Sequence, residues 1–582
     1  MYELIFTNNF FINFFNGFLF IIFNIFFSYL IHLNLKEKNC ILIDTYQPLI
    51  IFFLFFALIS LVFNLLILFN KYQYFKNTLI LVFAFQLLFI VKNFFLIKKI
   101  KIKFIKISRI DKFIIILLIS LYLISILPIS DADSISLHQY LSNKIYLNGL
   151  KNLDLEKNLG FVIYSNTQNL LIISPILNSD SFGAQLNIII LIFFFVYKFR
   201  ENKNFILIIL SCPLIIYFIS AQKLQLFFGI LYLLIFIIVN EKLIKNKIGL
   251  FITIFLLIFY SSGNLSYILF TVPLYIYIFL NYKKKWIEIL FYSIISFLFT
   301  ILPVFLIKHI YFSNFLAPFF DQQLGANNFL YHALSYSLRT TEGWLGNTSD
   351  LQIYLRPFIS LNLIELSSSL GIIFLFMLIN INLHKKTKFF SLIIIAIVIS
   401  TGQILPRYYL EAFLILSYYF NLNKFYLKAL TISQNLIILA ISLIFINIAY
   451  FNMNVVLDKD EYMNNFSFSY YNSIQQKKLN IQDNVLDLTS VRPSLFYDDN
   501  IFSARTFILL KNYPEFNKYF KKFVDEKSIK YIISESKENI PACLKLIKIQ
   551  DINQVKAIRN FLIKPLKSNS SIFKIQSNNC KS

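Results

Sequence analysis

The chain has 582 residues, 58% of them hydrophobic and only 14% charged, where soluble domains run to about 25% charged. That balance excludes an ordinary soluble globular protein and defines a polytopic membrane protein. The formal net charge of +24 comes from short Lys/Arg clusters between apolar runs, a placement that marks a cytoplasmic membrane face rather than a nucleic-acid surface.

The opening "MYELIFTNNFFINFF" lacks a basic n-region and a small-residue cleavage site, so no removable leader is expected. Apolar stretches long enough for membrane helices recur through the first three quarters. They predict roughly fourteen spans, centred near residues 20, 58, 85, 121, 191, 212, 232, 254, 273, 297, 371, 396, 415 and 440. Basic clusters at 98–112 ("KKIKIKFIKISRIDK"), 198–203, 241–247, 281–285 and 384–388 set the cytoplasmic side. Segments 131–183 and 309–357, the turn Pro406–Glu411 and everything from about residue 452 then face outward. The lysines of "KYQYFKN" (71–77) run against this orientation. No repeat of 20–50 residues is visible.

The first outer loop begins with "ILPISDADSISLHQYL" (126–141). Ser130 or Asp131 can cap an interfacial helix over "SISLHQYLSNKIYL", with Leu137, Leu141 and Ile145 on one face and Asp131, Ser134 and His138 on another. The same two acids, Asp131 and Asp133, could instead do chemistry, one as a general base and the other holding an acceptor or a divalent ion such as Mg or Mn. His138 fits either the wet face of that helix or a ligand role.

The second outer loop carries Asp321, His332, Arg339, Glu342, Trp344 and Arg356, and loops of this length are commonly functional. Trp344 could stack on a sugar or anchor the interface. Glu365 and Glu411 lie close to or within apolar runs, where acids tend to line cavities. Arg407 stands at the outer end of a span, placed either to pair with phosphate or to snorkel. Arg339, Arg356 and Lys308 are further cations for a phosphate.

From about residue 452 the composition turns polar. Strand-like runs 484–489, 530–534 and 571–576 flank an amphipathic helix over 513–527, with Phe516, Tyr519, Phe520 and Phe523 on one face, which predicts a small α/β domain. Of the four cysteines, Cys543 and Cys580 lie in this tail and could pair or remain thiols.

The stretch "PISDADSISLHQYLSNKIYLNG" resembles the Pro-x-x-Asp-x-Asp-Ser-x-x-x-His segment of bacterial proteins in the GT-C superfamily of membrane glycosyltransferases. Three later segments resemble that family in the same order. They are "SSGNLSYILFTVPLYIYI" (261–278), "PVFLIKHIYFSNFLAPFF" (303–320) and "GQILPRYYLEA" (402–412). The second keeps Ser313, Asn314 and Pro318 of a Gly-Asn-Pro-x-x-Pro element but lacks its Gly and first Pro. The third keeps Arg407 and Tyr408, with Glu411 in the proline region. The resemblance covers about residues 113–450.

It implies an all-α polytopic GT-C-like fold of roughly fourteen transmembrane helices over residues 1–451 and a small periplasmic α/β domain over 452–582 in the bacterial inner membrane. It also implies inverting transfer of a sugar from a polyprenyl-phosphate donor to a lipid, glycan or protein acceptor. On this resemblance Asp131 is the base and Asp133 its helper or a metal ligand. Arg407, Arg339 and Arg356 contact the donor phosphate, and His138, Tyr408 and Trp344 contact substrate. Rival readings are a transporter or flippase of lipid-linked saccharide, a polysaccharide polymerase or O-antigen ligase, and a member of the fold that has lost activity. A transporter should place polar, broken spans at mid-membrane, whereas the polar residues here gather at one face. Nucleotide-binding, zinc-protease and serine-hydrolase signatures are absent.

Overall fold

A computed structural model describes residues 9–43, 45–97, 108–131, 133–150, 164–197, 203–264, 266–316, 355, 357–359, 369–379, 385–401, 405–489, 500–503, 516–555 and 567–578. Helices dominate up to residue 478, and a small sheet follows. Four helices, the bounds of one being Phe10–Glu37 and of the others Gln47–Leu68, Tyr72–Lys92 and Phe425–Asn452, are long and apolar enough to cross a bilayer. Two bent pairs add to these if each counts once: Asn166–Leu177 with Phe182–Tyr197, turned by 109°, and Lys283–Thr300 with Leu302–Tyr311, turned by 40°. Shorter apolar helices follow one another at Gln225–Asn240, Lys247–Ser262 and Tyr267–Asn281. Large apolar side chains such as Leu88, Val91, Ile287 and Leu280 remain exposed on the outside of this bundle. Such a surface suits lipid rather than water.

Local chemistry sets the helix ends. Ser108 and Asp111 form a reciprocal capping box at the start of Arg109–Ser125. Asn246 caps Lys247–Ser262 through the Gly249 N–H at 2.8 Å. The stretch centred near residue 212 is two helices, Lys203–Leu210 and Leu214–Ile219, separated at Cys212–Pro213, where proline lacks the donor that a continuous helix needs.

At the start of Arg109–Ser125, Asp111 pairs with Lys203 at 2.5 Å. That helix has 17 residues, so its far end lies about 25 Å away, and there the chain enters Pro128–Asp133. Residues after 446 emerge at this far end too. The Tyr450 hydroxyl donates to the Leu123 carbonyl at 2.7 Å, and Lys459 pairs with Asp180 at 2.8 Å. The Tyr462 hydroxyl bonds Ser130.

The tail then builds a five-stranded sheet: β1 Asn484–Asp487, β2 Ile501–Ser503, β3 Ile529–Ser534, β4 Leu544–Val555 and β5 Lys567–Asn578. Its order is β2-β1-β3-β5-β4, with the first three parallel and β5 antiparallel to both neighbours. The helix Phe516–Glu526 packs Phe520, Phe523 and Val524 against Leu486, Ile532 and Phe573. This core is separate from the continuous apolar core of the bundle. Strands β2 and β4 go beyond the three strand-like runs expected from sequence.

Candidate functional site

Pro128 ends the apolar run, and three residues later Asp131 is turned inward, 2% exposed. Its Oδ2 accepts hydrogen bonds from the Ser134 backbone N–H at 3.0 Å and the Ser134 hydroxyl at 2.8 Å. Its backbone carbonyl accepts from Ile135 at 3.0 Å. Asp131 therefore caps the helical segment that starts with a π-turn, Ser134–His138, and continues as Gln139–Asn148. Its Oδ1 has no hydrogen-bond partner among the described residues, so one carboxylate oxygen is structural and the other is available. Burial, together with the neighbouring Asp133 charge, outweighs Lys223 and the Ser134 bonds and holds the Asp131 carboxyl above its ordinary range.

Ser134 ties this turn to a second one. Its hydroxyl accepts from the Gln222 N–H at 2.8 Å. The Gln222 side chain is held in turn by the Gly183 N–H, donating to Oε1 at 2.7 Å, and by the Asp180 carbonyl, to which Nε2 donates. Asn187 braces the same turn from beneath, donating to the Phe218 carbonyl at 2.9 Å and the Lys223 carbonyl at 2.6 Å while accepting from Phe227 N–H at 3.0 Å. The backbone that presents Lys223 is fixed from three sides.

Lys223, almost fully buried, donates to Asp133 Oδ2 and to the Tyr217 hydroxyl, with its ammonium 4.9 Å from the Tyr217 ring centre. Burial pulls the Lys223 ammonium down, but Asp133 and Tyr217 overcome that and leave it raised, hence charged. Arg407 arrives from the 3-10 turn Pro406–Tyr409. Its Nη1 stands 3.9 Å from Asp133 Oδ2 and 3.5 Å from the Tyr217 hydroxyl. The guanidinium lies over the Tyr408 ring at 5.3 Å, and its buried Nε has no partner among the described residues.

Four residues on, the buried Glu411 accepts from the Tyr260 hydroxyl at 2.7 Å, and Tyr260 stacks on Tyr267 at 4.6 Å. This brings the turn after Lys247–Ser262 against the Arg407 segment. The first outer loop is pinned to the same turn, since Ser165 and Thr167 donate to the Gly263 carbonyl at 2.7 and 2.6 Å. His138 contacts Gln168 in that loop, Nδ1 to Nε2, at 3.2 Å. Lys308 is fully buried in Leu302–Phe312.

Of the residues expected from sequence, Asp131, Asp133, Arg407 and Tyr408 come together, and His138 follows on the segment that Asp131 caps. Arg339, Arg356, Trp344, Asp321, His332, Glu342 and Glu365 lie outside the described residues. Lys223, Tyr217, Gln222 and Asn187 were not anticipated. Lys223 did carry a signal: it is a lysine between predicted spans centred near 212 and 232, at the end opposite the basic clusters. The fold and site define a helical protein with segments long and apolar enough to cross a membrane and a buried acid–cation cluster at one end of its bundle. Comparison with protein-family models, curated proteins and solved structures finds no match for this chain.

Proposed function

We propose that the chain is a GT-C-type glycosyltransferase with roughly fourteen membrane passes and a periplasmic α/β tail in the bacterial inner membrane. It moves a sugar from a polyprenyl-phosphate donor to a lipid, glycan or protein acceptor on the outer face. The observation that carries the reading is the convergence of Asp131, Asp133, Lys223 and Arg407, from three separate chain segments, at the bundle end opposite the basic clusters. Cys543 is disulfide-bonded, which supports an oxidising compartment for the tail.

In this reaction the available oxygen of Asp131 takes the proton of an acceptor hydroxyl. The acceptor oxygen attacks the anomeric carbon, and the bond from that carbon to the phosphate oxygen breaks. The electron pair leaves on the lipid phosphate, whose growing charge faces Lys223 and Arg407. Direct displacement inverts the anomeric centre. The raised Asp131 suits a base working near neutral pH. The acids fit a divalent ion poorly, because the Asp133 oxygen that would ligate it is already bound to Lys223 and faces Arg407. The paired cations also support a second reading, a flippase that binds the same lipid phosphate without chemistry.

The test replaces Asp131 and Asp133 separately with Asn and compares surface glycans and glycolipids with those of the parent and the deletion strain. Glycans lost on deletion should be lost with Asp131→Asn. If both variants keep every glycan that deletion removes, Asp131 is not the base and the transferase reading fails.

A further inference from the structure

The short helix Lys459–Phe466 follows the last long apolar helix and packs with the bundle rather than with the tail. Its Tyr462, Met463 and Phe466 are buried in the bundle core, and Phe466 meets Phe445 edge-on at 5.5 Å. Its polar side reaches the tail. Asp460 accepts from the Tyr470 hydroxyl at 2.6 Å. The helix that carries Tyr470, Phe468–Lys478, packs along β4 and sends Gln476 to the buried Asp487 of β1 at 2.7 Å. The sheet and the bundle are joined through Lys459–Phe466.

Three buried apolar side chains already anchor this helix, yet it makes two further polar contacts, and both fall on turns that carry the site. The Tyr462 hydroxyl bonds Ser130, the residue before Asp131. Lys459 pairs with Asp180 at 2.8 Å, the two side chains being only 10% and 9% exposed. The Asp180 carbonyl accepts from the Gln222 side chain, the Gln222 N–H donates to Ser134, and Ser134 donates to Asp131. Gln222 also immediately precedes Lys223. The helix therefore touches the acid turn directly and reaches the cation turn through Asp180.

Asp180 needs such a partner. It lies between two helices set at 109°, where no continuous helical ladder fixes the backbone. An ion pair this far from water is also unforgiving, because removing one partner leaves the other charge uncompensated. Two π-turns flank the same place, Ser134–His138 after the acid and Asn447–Asn452 before the short helix, and turns of this kind concentrate at functional segments.

We infer that Lys459–Phe466 is a strut that sets the geometry of the acid–cation site from the tail side, with Lys459 and Tyr462 as positioning residues, so that transfer runs only while the tail is seated. The inference rests on the proposed transfer reaction and assigns its regulation to the tail. Neither residue touches substrate; each acts through the turn it holds.

The experiment uses the full-length protein. Hydrogen exchange of segments 128–135 and 218–225 is followed in phosphatidylcholine nanodiscs, and surface glycan per folded protein is measured in the complemented deletion strain. Tyr462→Phe removes a single hydroxyl and keeps the buried ring, so it should fold as the parent does. Lys459→Met removes the ion pair. Each should speed exchange in both segments about threefold or more while strands β1 and β3 exchange as before, and each should lower the glycan about tenfold. The exchanged pair, Lys459→Asp with Asp180→Lys, should bring exchange and glycan back to within about threefold of the parent.

The inference is overturned if both single variants leave exchange in 128–135 and 218–225 at the parental rate, or if exchange rises while the glycan per folded protein stays parental. Failure of the exchanged pair to recover either readout overturns the role of the Lys459–Asp180 contact. The exchange readout does not depend on the reaction. Parental glycan in Asp131→Asn with faster exchange in the strut variants removes the transferase reading and leaves the strut. Glycan lost in Asp131→Asn and untouched in the strut variants does the reverse.

Discussion

Asp131 divides its work between two oxygens, and Asp131→Asn separates them. Oδ2 accepts from the Ser134 N–H and hydroxyl. An asparagine amide oxygen accepts the same two bonds, and Asn and Asp rank alike as helix caps, so folding stability should change by less than about 0.5 kcal/mol. Asp131→Ala loses both bonds and leaves the Ser134 N–H buried, at a cost of about 1–3 kcal/mol. The charge is what asparagine lacks. Loss of a positioned base slows a reaction by roughly 10²–10⁴-fold, about 3–5 kcal/mol in the barrier. The assay restores each variant to the deletion strain and measures the missing surface glycan per folded protein in the membrane, the latter from detergent size-exclusion of a fluorescent fusion. Asn should be folded and inactive, and Ala less abundant and inactive. A base must be deprotonated to act, and burial raises Asp131, so parental activity should fall with acid at a pH above the ordinary carboxylate value of about 4. If Asn works within threefold of the parent, or if both variants lose activity only in proportion to folded protein, Asp131 is a cap and nothing more.

Gly183→Ala drives a Cβ into Gln222 Oε1 and to 2.9 Å from Leu171 Cδ2. In an open helix the change would gain about 1 kcal/mol, but here overpacking of about 1–3 kcal/mol should prevail, visible as a lower Tm and, through the Gln222–Lys223 turn, weaker farnesyl phosphate binding. Phe520→Ala empties the centre of the small tail core and should cost about 3–5 kcal/mol, making the tail protease-sensitive while the bundle stays intact. Cys543, being in a disulfide, should resist a membrane-impermeant maleimide on intact spheroplasts and label once reductant is added. Labelling that needs permeabilised cells would put the tail in the cytoplasm and end the periplasmic assignment.

Helical hydrophobic segments were legible because an apolar run needs no long-range information, and the cap at Asp131 was legible because its partner is three residues away. Where proline breaks a helix at Cys212–Pro213, composition still read one span, since hydropathy averages over the break. Strand β4 was missed although "LKLIKIQ" (544–550) alternates, and β2, with three residues, is too short for a periodic signal. The cluster itself was only half visible. Asp133, Lys223 and Arg407 are separated by 90 and 184 residues in sequence, and what joins them is a set of buried bonds through Ser134, Gln222 and Asn187. None of those three has a composition signature, because serine, glutamine and asparagine bond whatever the fold brings within reach.

Two aspartates with a single residue between them would share a fate on a smooth helix surface only if their surroundings matched, and here they do not. Asp131 turns inward onto an N–H and a hydroxyl, neutral donors that cannot offset its burial. Asp133 turns outward onto an ammonium and faces a guanidinium. Burial pushes the Asp131 carboxyl toward accepting a proton, while Asp133 answers two cations, a division by which neighbouring acids take different roles in one site. The π-turn at Ser134–His138 belongs to the same arrangement: an added residue per turn lets the segment leave Asp131 as cap and still aim Asp133 at the cations. Ser134→Ala tests that coupling directly, since it removes the one hydroxyl bonded to both Asp131 and the Gln222 turn and should weaken transfer and phosphate binding together.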